Sequence, residues 1–178
     1  MKRILAFSGS LSNSSINHQL VSLATERITS IEVKIIRLSE YEAPLYTKER
    51  EAENGIPEPI KALRLLFDEA DGFLISTPEY NSSIPAGFKN TMDWLSRMEG
   101  SIFQDKPILL MSATPGKRGG QSVLGHLSGV LPFWGAKLAG TFSLPLFREN
   151  FSDDSLKESY NSELNTKLKD LESAISAG

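Results

Sequence analysis

The chain has 178 residues, 40% of them hydrophobic and 23% charged, with a formal net charge of −3. Those values describe an ordinary globular chain, long enough for one domain with a substantial core. They give no electrostatic case for nucleic acid, which would need a basic face, and the absence of cysteine excludes disulfides, thiolate nucleophiles and cysteine-ligated metals. No apolar run reaches the length of a membrane span and the first residues lack the core of a leader peptide, so the cytoplasm is the expected compartment.

Ile4 to Phe7 is a short apolar run closed by Ser8-Gly9-Ser10 and is predicted as a buried first strand. From Ser15 onward, Ile16, Leu20, Val21, Leu23, Ala24 and Ile28 recur at helical spacing. Ile31 to Leu38, rich in β-branched residues, is the second strand. The stretch through Tyr41, Pro44, Tyr46, Lys48 and Gly55 has mixed charge and is predicted as a surface excursion, a lid or a subunit contact. Pro57 and Pro59 open a helix carrying Ile60, Leu63, Leu66 and Phe67. Gly72 to Ser76 is the third strand, and the helix after Pro85 places Phe88, Met92 and Leu95 on one face. Pro107 opens the fourth strand, Ile108 to Met111. A helix from about residue 121 carries Val123, Leu124, Leu127, Val130 and Leu131, and Ala136 to Phe142 is the last strand. A charged helix follows from about Asp154 to Ile175, with Ser152 or Asp153 as its expected cap. Five strands alternating with helices predict an α/β fold, a mostly parallel sheet covered on both faces. Periodicity alone does not order the strands.

Three of these strands run into polar or glycine-rich loops, and in an open α/β sheet ligands bind beyond the carboxyl ends of the strands. The first loop has neither the lysine of a nucleotide-hydrolysing P-loop nor a complete Gly-x-Gly-x-x-Gly fingerprint. It offers hydroxyls at Ser10, Ser12, Ser14 and Ser15, the Asn17 amide, and backbone N–H groups entering the helix at Ile16. Such a helix start attracts a phosphate; the competing reading is an ordinary capped turn. The second loop, Thr77-Pro78-Glu79-Tyr80-Asn81, can present rigid backbone groups to the edge of a planar heterocycle. Against that, Tyr80 reads as a half-buried packing ring. Glu79 reads as a solvated charge, with no histidine or second carboxylate beside it in the sequence.

The third loop follows Ser112 and holds Gly116, Gly119 and Gly120, which permit positive φ and close approach to a flat ligand. Lys117 and Arg118 add charge able to meet a phosphate of an incoming second ligand, against the reading of a flexible, solvated turn. Asp93 and Trp94 are expected to serve packing or a subunit contact. His18 and His126 are the only histidines, and nothing in their spacing suggests a metal site or a catalytic motif.

Several of these segments together resemble the NAD(P)H-dependent FMN reductase family, which includes chromate-reductase-like and azoreductase-like quinone reductases. They are Gly9-Ser10 with Ser15 and Asn17, Pro78-Glu79-Tyr80-Asn81 with Ser83-Ile84-Pro85, Lys89-Asn90 with Asp93-Trp94, and Pro115-Gly116 with Gly119-Gly120. The resemblance runs from about residue 4 to 143. It implies a flavodoxin-like doubly wound five-stranded parallel sheet in the order 2-1-3-4-5, with FMN at the switch point. The flavin phosphate is then expected near Ser10, Ser12, Ser15, Ile16 and Asn17, and the isoalloxazine ring against Pro78, Glu79, Tyr80 and Asn81. The third loop, at Ser112, Gly116 and Gly119, is expected near the ring.

The resemblance further implies NADPH or NADH as co-substrate and a small-molecule acceptor such as a quinone, azo compound, metal oxyanion or free flavin. It also implies a homodimer or homotetramer with the flavin close to a subunit boundary. Two departures stand out. Many members carry arginine directly after Gly-Ser-Leu, where this chain has Ser12, which removes a charge-assisted contact to phosphate. Ala86 stands where glycine is common.

The cofactor would carry the hard chemistry, which accounts for the lack of a triad or metal motif. Two rival readings share the fold: a flavodoxin-type electron carrier, and a regulatory or scaffold protein without flavin. The basic pair in the third loop and the absence of a strongly acidic composition speak against the first. Ser12 is the best support for the second.

Overall fold

The computed structural model describes residues 2–178. In chain order the elements are β1 (Arg3–Ser8), α1 (Ile16–Thr25), β2 (Glu32–Arg37), α2 (Lys48–Asn54), α3 (Glu58–Glu69), β3 (Gly72–Ser76), α4 (Ala86–Leu95) and β4 (Lys106–Ala113). They continue with α5 (Gln121–Val130), β5 (Ala136–Leu144), α6 (Phe147–Asn150), β6 (Phe151–Ser152), β7 (Ser155–Leu156) and α7 (Glu158–Ala177). The main sheet is parallel throughout and ordered β2-β1-β3-β4-β5, the flavodoxin-like arrangement.

The sheet is doubly covered because its central strands are apolar on both faces. Along β1, Ile4 and Ala6 face α1 and α7, while Leu5 and Phe7 face α3, α4 and α5. On the latter side, Phe67 sits 5.8 Å from Phe7 and 4.9 Å from Phe73, ring centre to ring centre. The edge strand β2 carries Glu32, Lys34 and Arg37, charges that discourage pairing with another chain. Among the described residues no helix is long and apolar enough to cross a membrane.

Two segments differ from the sequence expectation. The excursion between β2 and α3 holds a short helix, α2, whose first turn is capped by the Thr47 hydroxyl. Its approach is pegged to α4. The Asn90 amide accepts from Tyr46 N–H at 2.9 Å and donates to Ala43 O, while Trp94 Nε1 donates to Pro44 O at 2.7 Å. Trp94 therefore serves packing, as expected, and Asp93 pairs with Lys89 one turn back.

The last helix begins at Glu158, beyond the expected caps Ser152 and Asp153. Residues 151–156 instead form a β-hairpin, with Asp153 and Asp154 at φ 48° and 53° in its turn. Aspartate tolerates that left-handed region better than most residues. Phe151 stacked on Phe147 and a buried Leu156 anchor the hairpin, leaving Lys157 at the cap position without a side-chain cap bond.

Candidate active site

β1, β3 and β4 lie side by side with Ser8 in register with Ser76, and Ser76 with Met111, so their three loops emerge together. They enclose a cavity of about 600 Å³, within the usual range for a small-molecule site. Of the twelve candidate residues, the cavity is lined by Ser10, Ser12, Ser15, Ile16, Asn17, Pro78, Glu79, Tyr80 and Gly116. Ser14, Thr114, Pro115, Lys117, Arg118 and Gly120 complete most of its wall. Asn81, Ser112 and Gly119 lie outside the lining, and each has another task described below.

The first loop is built by serine hydroxyls. Ser8 Oγ accepts from Ser10 N–H and Ser10 Oγ from Ser12 N–H, two local turns in succession. Ser15 is the N-cap of α1, its hydroxyl accepting from His18 N–H at 3.2 Å. The N–H groups of Ile16 and Asn17, at the first two helical positions, have no carbonyl within the helix to bond, and both residues line the cavity. Gly9 N–H donates to Ser76 O, and a side chain at Gly9 would press on Thr77 Oγ1 at 2.8 Å, so glycine lets the first two loops touch.

The Asn17 side chain, 1% exposed, works as a strut. Its Oδ1 accepts from Ala113 N–H at 2.8 Å and from the Ser76 hydroxyl at 2.7 Å, and its Nδ2 donates to Ala113 O at 2.9 Å. One amide thereby ties the start of α1 to the ends of β3 and β4.

In the second loop, Tyr80 and Ser83 exchange backbone hydrogen bonds of 3.1 and 3.0 Å around Asn81 and Ser82, both at positive φ. This is a tight primed turn, and asparagine is suited to its first corner. Asn81 shapes the loop from outside the lining, and Tyr80 stands half-exposed at the cavity mouth. Glu79 is not a free loop charge: one carboxylate oxygen accepts from Ser122 N–H at 2.9 Å and Val123 N–H at 3.1 Å.

In the third loop, Gly119 and Gly120 have φ of 60° and 74°. A Cβ at Gly120 would fall on the Ser112 side chain, and one at Gly119 on the Ser143 hydroxyl. Ser112 is fully buried and donates its hydroxyl to Thr77 O at 2.7 Å, fixing the second loop to β4 from beneath.

The first loop thus lines the cavity with serine hydroxyls and the start of α1, and the second and third loops line it with proline, tyrosine and glycine. Lys117 and Arg118 are its cationic lining residues, and Arg118 leans on the Ser122 hydroxyl at 2.7 Å. Ser12, in the usual arginine position, meets Ser14 Oγ at 3.3 Å. Burial, and Arg37 after it, push the His18 pKa below its ordinary value against the opposing pull of Glu40, which disfavours its charged form. The donor set of the first loop, with proline, tyrosine and glycine on the other two, suits a phosphate joined to a planar ring, so FMN fits.

Fold and site together define a flavodoxin-like flavin-binding protein. The sequence profile of the NADPH-dependent FMN reductases matches residues 2–148, and the chain belongs to that family. It is 35% identical over 132 residues to a quinone reductase of Escherichia coli (strain K12), covering 74% of this chain and 70% of that protein. An NADPH:quinone oxidoreductase of Arabidopsis thaliana is 34% identical over 124 residues, covering 67% of this chain and 62% of that protein. Among solved structures, the Paracoccus denitrificans flavoenzyme FerB, an NAD(P)H:(acceptor) oxidoreductase, superposes with a TM-score of 0.81 at 25% identity, covering 99% of this chain and 98% of FerB. The chain is an NAD(P)H-dependent flavin oxidoreductase that uses FMN.

Sequence reasoning missed the bridging roles of Asn17 and Glu79. A glycine cap position at α5, followed by no acidic residue in its first turn, was the available signal that its N–H groups find an acceptor elsewhere.

Proposed function

We propose that this enzyme reduces quinones with NADPH, using FMN held between the three loops. The cavity that the three loops line at the switch point supports the FMN part of the reading, and the 34–35% identity to quinone reductases supports the acceptor. Ser10, Ser12 and Ser15, with the Ile16 and Asn17 N–H groups, would receive the phosphate. Pro78, Tyr80 and Gly116 would flank the ring. Bound there, FMN supplies the capacity to take a hydride from NAD(P)H and release two electrons to an acceptor.

The residues bind, orient and exclude water. The first loop satisfies an anion by neutral donors and the helix dipole. The glycines of the third loop let backbone approach a flat surface, and the Tyr80–Ser83 turn keeps the opposite wall rigid. An acceptor panel tests the proposal. With FMN-loaded enzyme and NADPH, a benzoquinone is expected to give a kcat/KM at least tenfold above an azo dye, chromate or free FMN. Free FMN as the best acceptor would refute the quinone assignment.

Lys117 and Arg118, the cationic residues of the cavity lining, would meet the 2′-phosphate of NADPH. Replacing both by alanine is expected to raise KM for NADPH about tenfold, the scale of one lost charge-assisted contact, while leaving KM for NADH little changed. An unchanged NADPH:NADH ratio would exclude the pair from cofactor choice.

A further inference from the structure

Helix α5 begins at Gly120, a cap position with no side chain, and its first turn holds no acidic residue. Its orphan N–H groups are answered from 43 residues upstream, where Glu79 crosses from the second loop to Ser122 and Val123. One carboxylate oxygen thereby satisfies two donors that no side chain at the Gly120 cap could reach. Glu79 stands between Pro78 and Tyr80, the residues that form one wall of the cavity, while Gly120 belongs to the other wall. At the base of that gap Ser112 ties β4 to Thr77. Farther out, the second loop meets α5 through Glu79 and through a long Ser83–His126 contact of 3.5 Å.

We propose that Glu79 is a positioning residue whose reach sets the width of the cavity, holding Pro78 and Tyr80 at a fixed distance from the glycine loop. Its carboxylate faces the helix and acts on the flavin through the two walls. The inference rests on the reading of the cavity as an FMN site and adds a role to a residue that first reads as a solvated charge or a ring contact.

Two variants separate reach from charge. Glu79→Gln keeps an acceptor oxygen at the same reach without the charge, and Glu79→Asp keeps the charge one methylene short. FMN dissociation constants are measured by flavin fluorescence well below each variant's melting temperature, so that lost stability alone does not move them. Amide exchange at Ser122 and Val123 is followed by NMR in the flavin-free proteins. Glu79→Gln is expected to bind FMN within about threefold of wild type with both amides still protected. Glu79→Asp, like Glu79→Ala, is expected to bind about tenfold more weakly with both amides exchanging faster.

Wild-type affinity in Glu79→Asp, or a Glu79→Gln as weak as Glu79→Ala, overturns the inference, the second by placing the effect in the charge. The Gln and Asp pair decides the question even where Glu79→Ala fails to fold. Failure of wild type to bind FMN would sink the flavin reading instead. The exchange data would still decide the bridge, since equal protection in all variants overturns it.

Discussion

Asn17→Ala is expected to lower stability by about 3 kcal/mol and to weaken FMN binding at least tenfold. The variant strands three buried partners at once: Ala113 N–H, Ala113 O and the Ser76 hydroxyl. An unsatisfied buried polar group costs about 1–3 kcal/mol. The total is held near the lower end because the cavity beside Asn17 admits water to part of the vacated space. The loss of affinity follows from geometry, since the same amide fixes the helix start that carries the free N–H groups. Asn17→Asp is the informative companion. It keeps an acceptor for Ser76 and Ala113 N–H but sets a carboxylate oxygen against Ala113 O. Chemical denaturation and a fluorescence titration measure both effects. Unchanged stability with weakened binding would make Asn17 a direct ligand, and no change in either would remove it from the site.

Gly120→Ala is expected to cost about as much, by a different route. A non-glycine residue in the left-handed region costs about 1–2 kcal/mol. Here the new methyl also falls on the Ser112 side chain, whose hydroxyl holds the Thr77 carbonyl. Ser112 is fully buried and cannot turn aside without breaking that bond. A total near 3 kcal/mol is expected, with FMN affinity falling as the third loop shifts. Pairing Gly120→Ala with Ser112→Gly removes the collision and leaves the backbone strain, so the double variant is expected to be more stable than the two single effects added. Strict additivity in thermal or urea unfolding would show that the two positions do not touch.

These two positions show what was legible in the sequence. The strands, their alternation with helices and the three loops follow from hydrophobic period and punctuation, because a central parallel strand has to be apolar on both sides. The strand order came from the resemblance, since nothing in local pattern distinguishes one parallel neighbour from another. Residue types also located the cavity: serines at a helix start, a proline-bearing turn, and glycines after β4. Roles were harder to read. Asn17 looked like a donor for phosphate, yet its acceptor and one of its donors are engaged by residues 59 and 96 positions away. In the sequence Ser112 and Asn81 read as lying near the ring; one buries its hydroxyl against Thr77 and the other occupies the corner of a turn. Side-chain partners across such separations depend on register between strands, which a single sequence does not encode locally. The misplaced cap of α7 has a local cause, two adjacent aspartates that favour a hairpin turn over a helix start.

We infer that the three loops form one site where FMN is bound and reduced by NAD(P)H. The most direct test is to saturate the purified protein with FMN, remove oxygen, add NADPH or NADH, and follow the oxidised-flavin absorption band in a stopped-flow instrument. Rapid bleaching of protein-bound flavin, slowed in parallel with weakened binding in Asn17→Ala, is the expected result. Bound flavin that stays oxidised through many minutes with either nucleotide would contradict the account and describe an electron carrier with this fold.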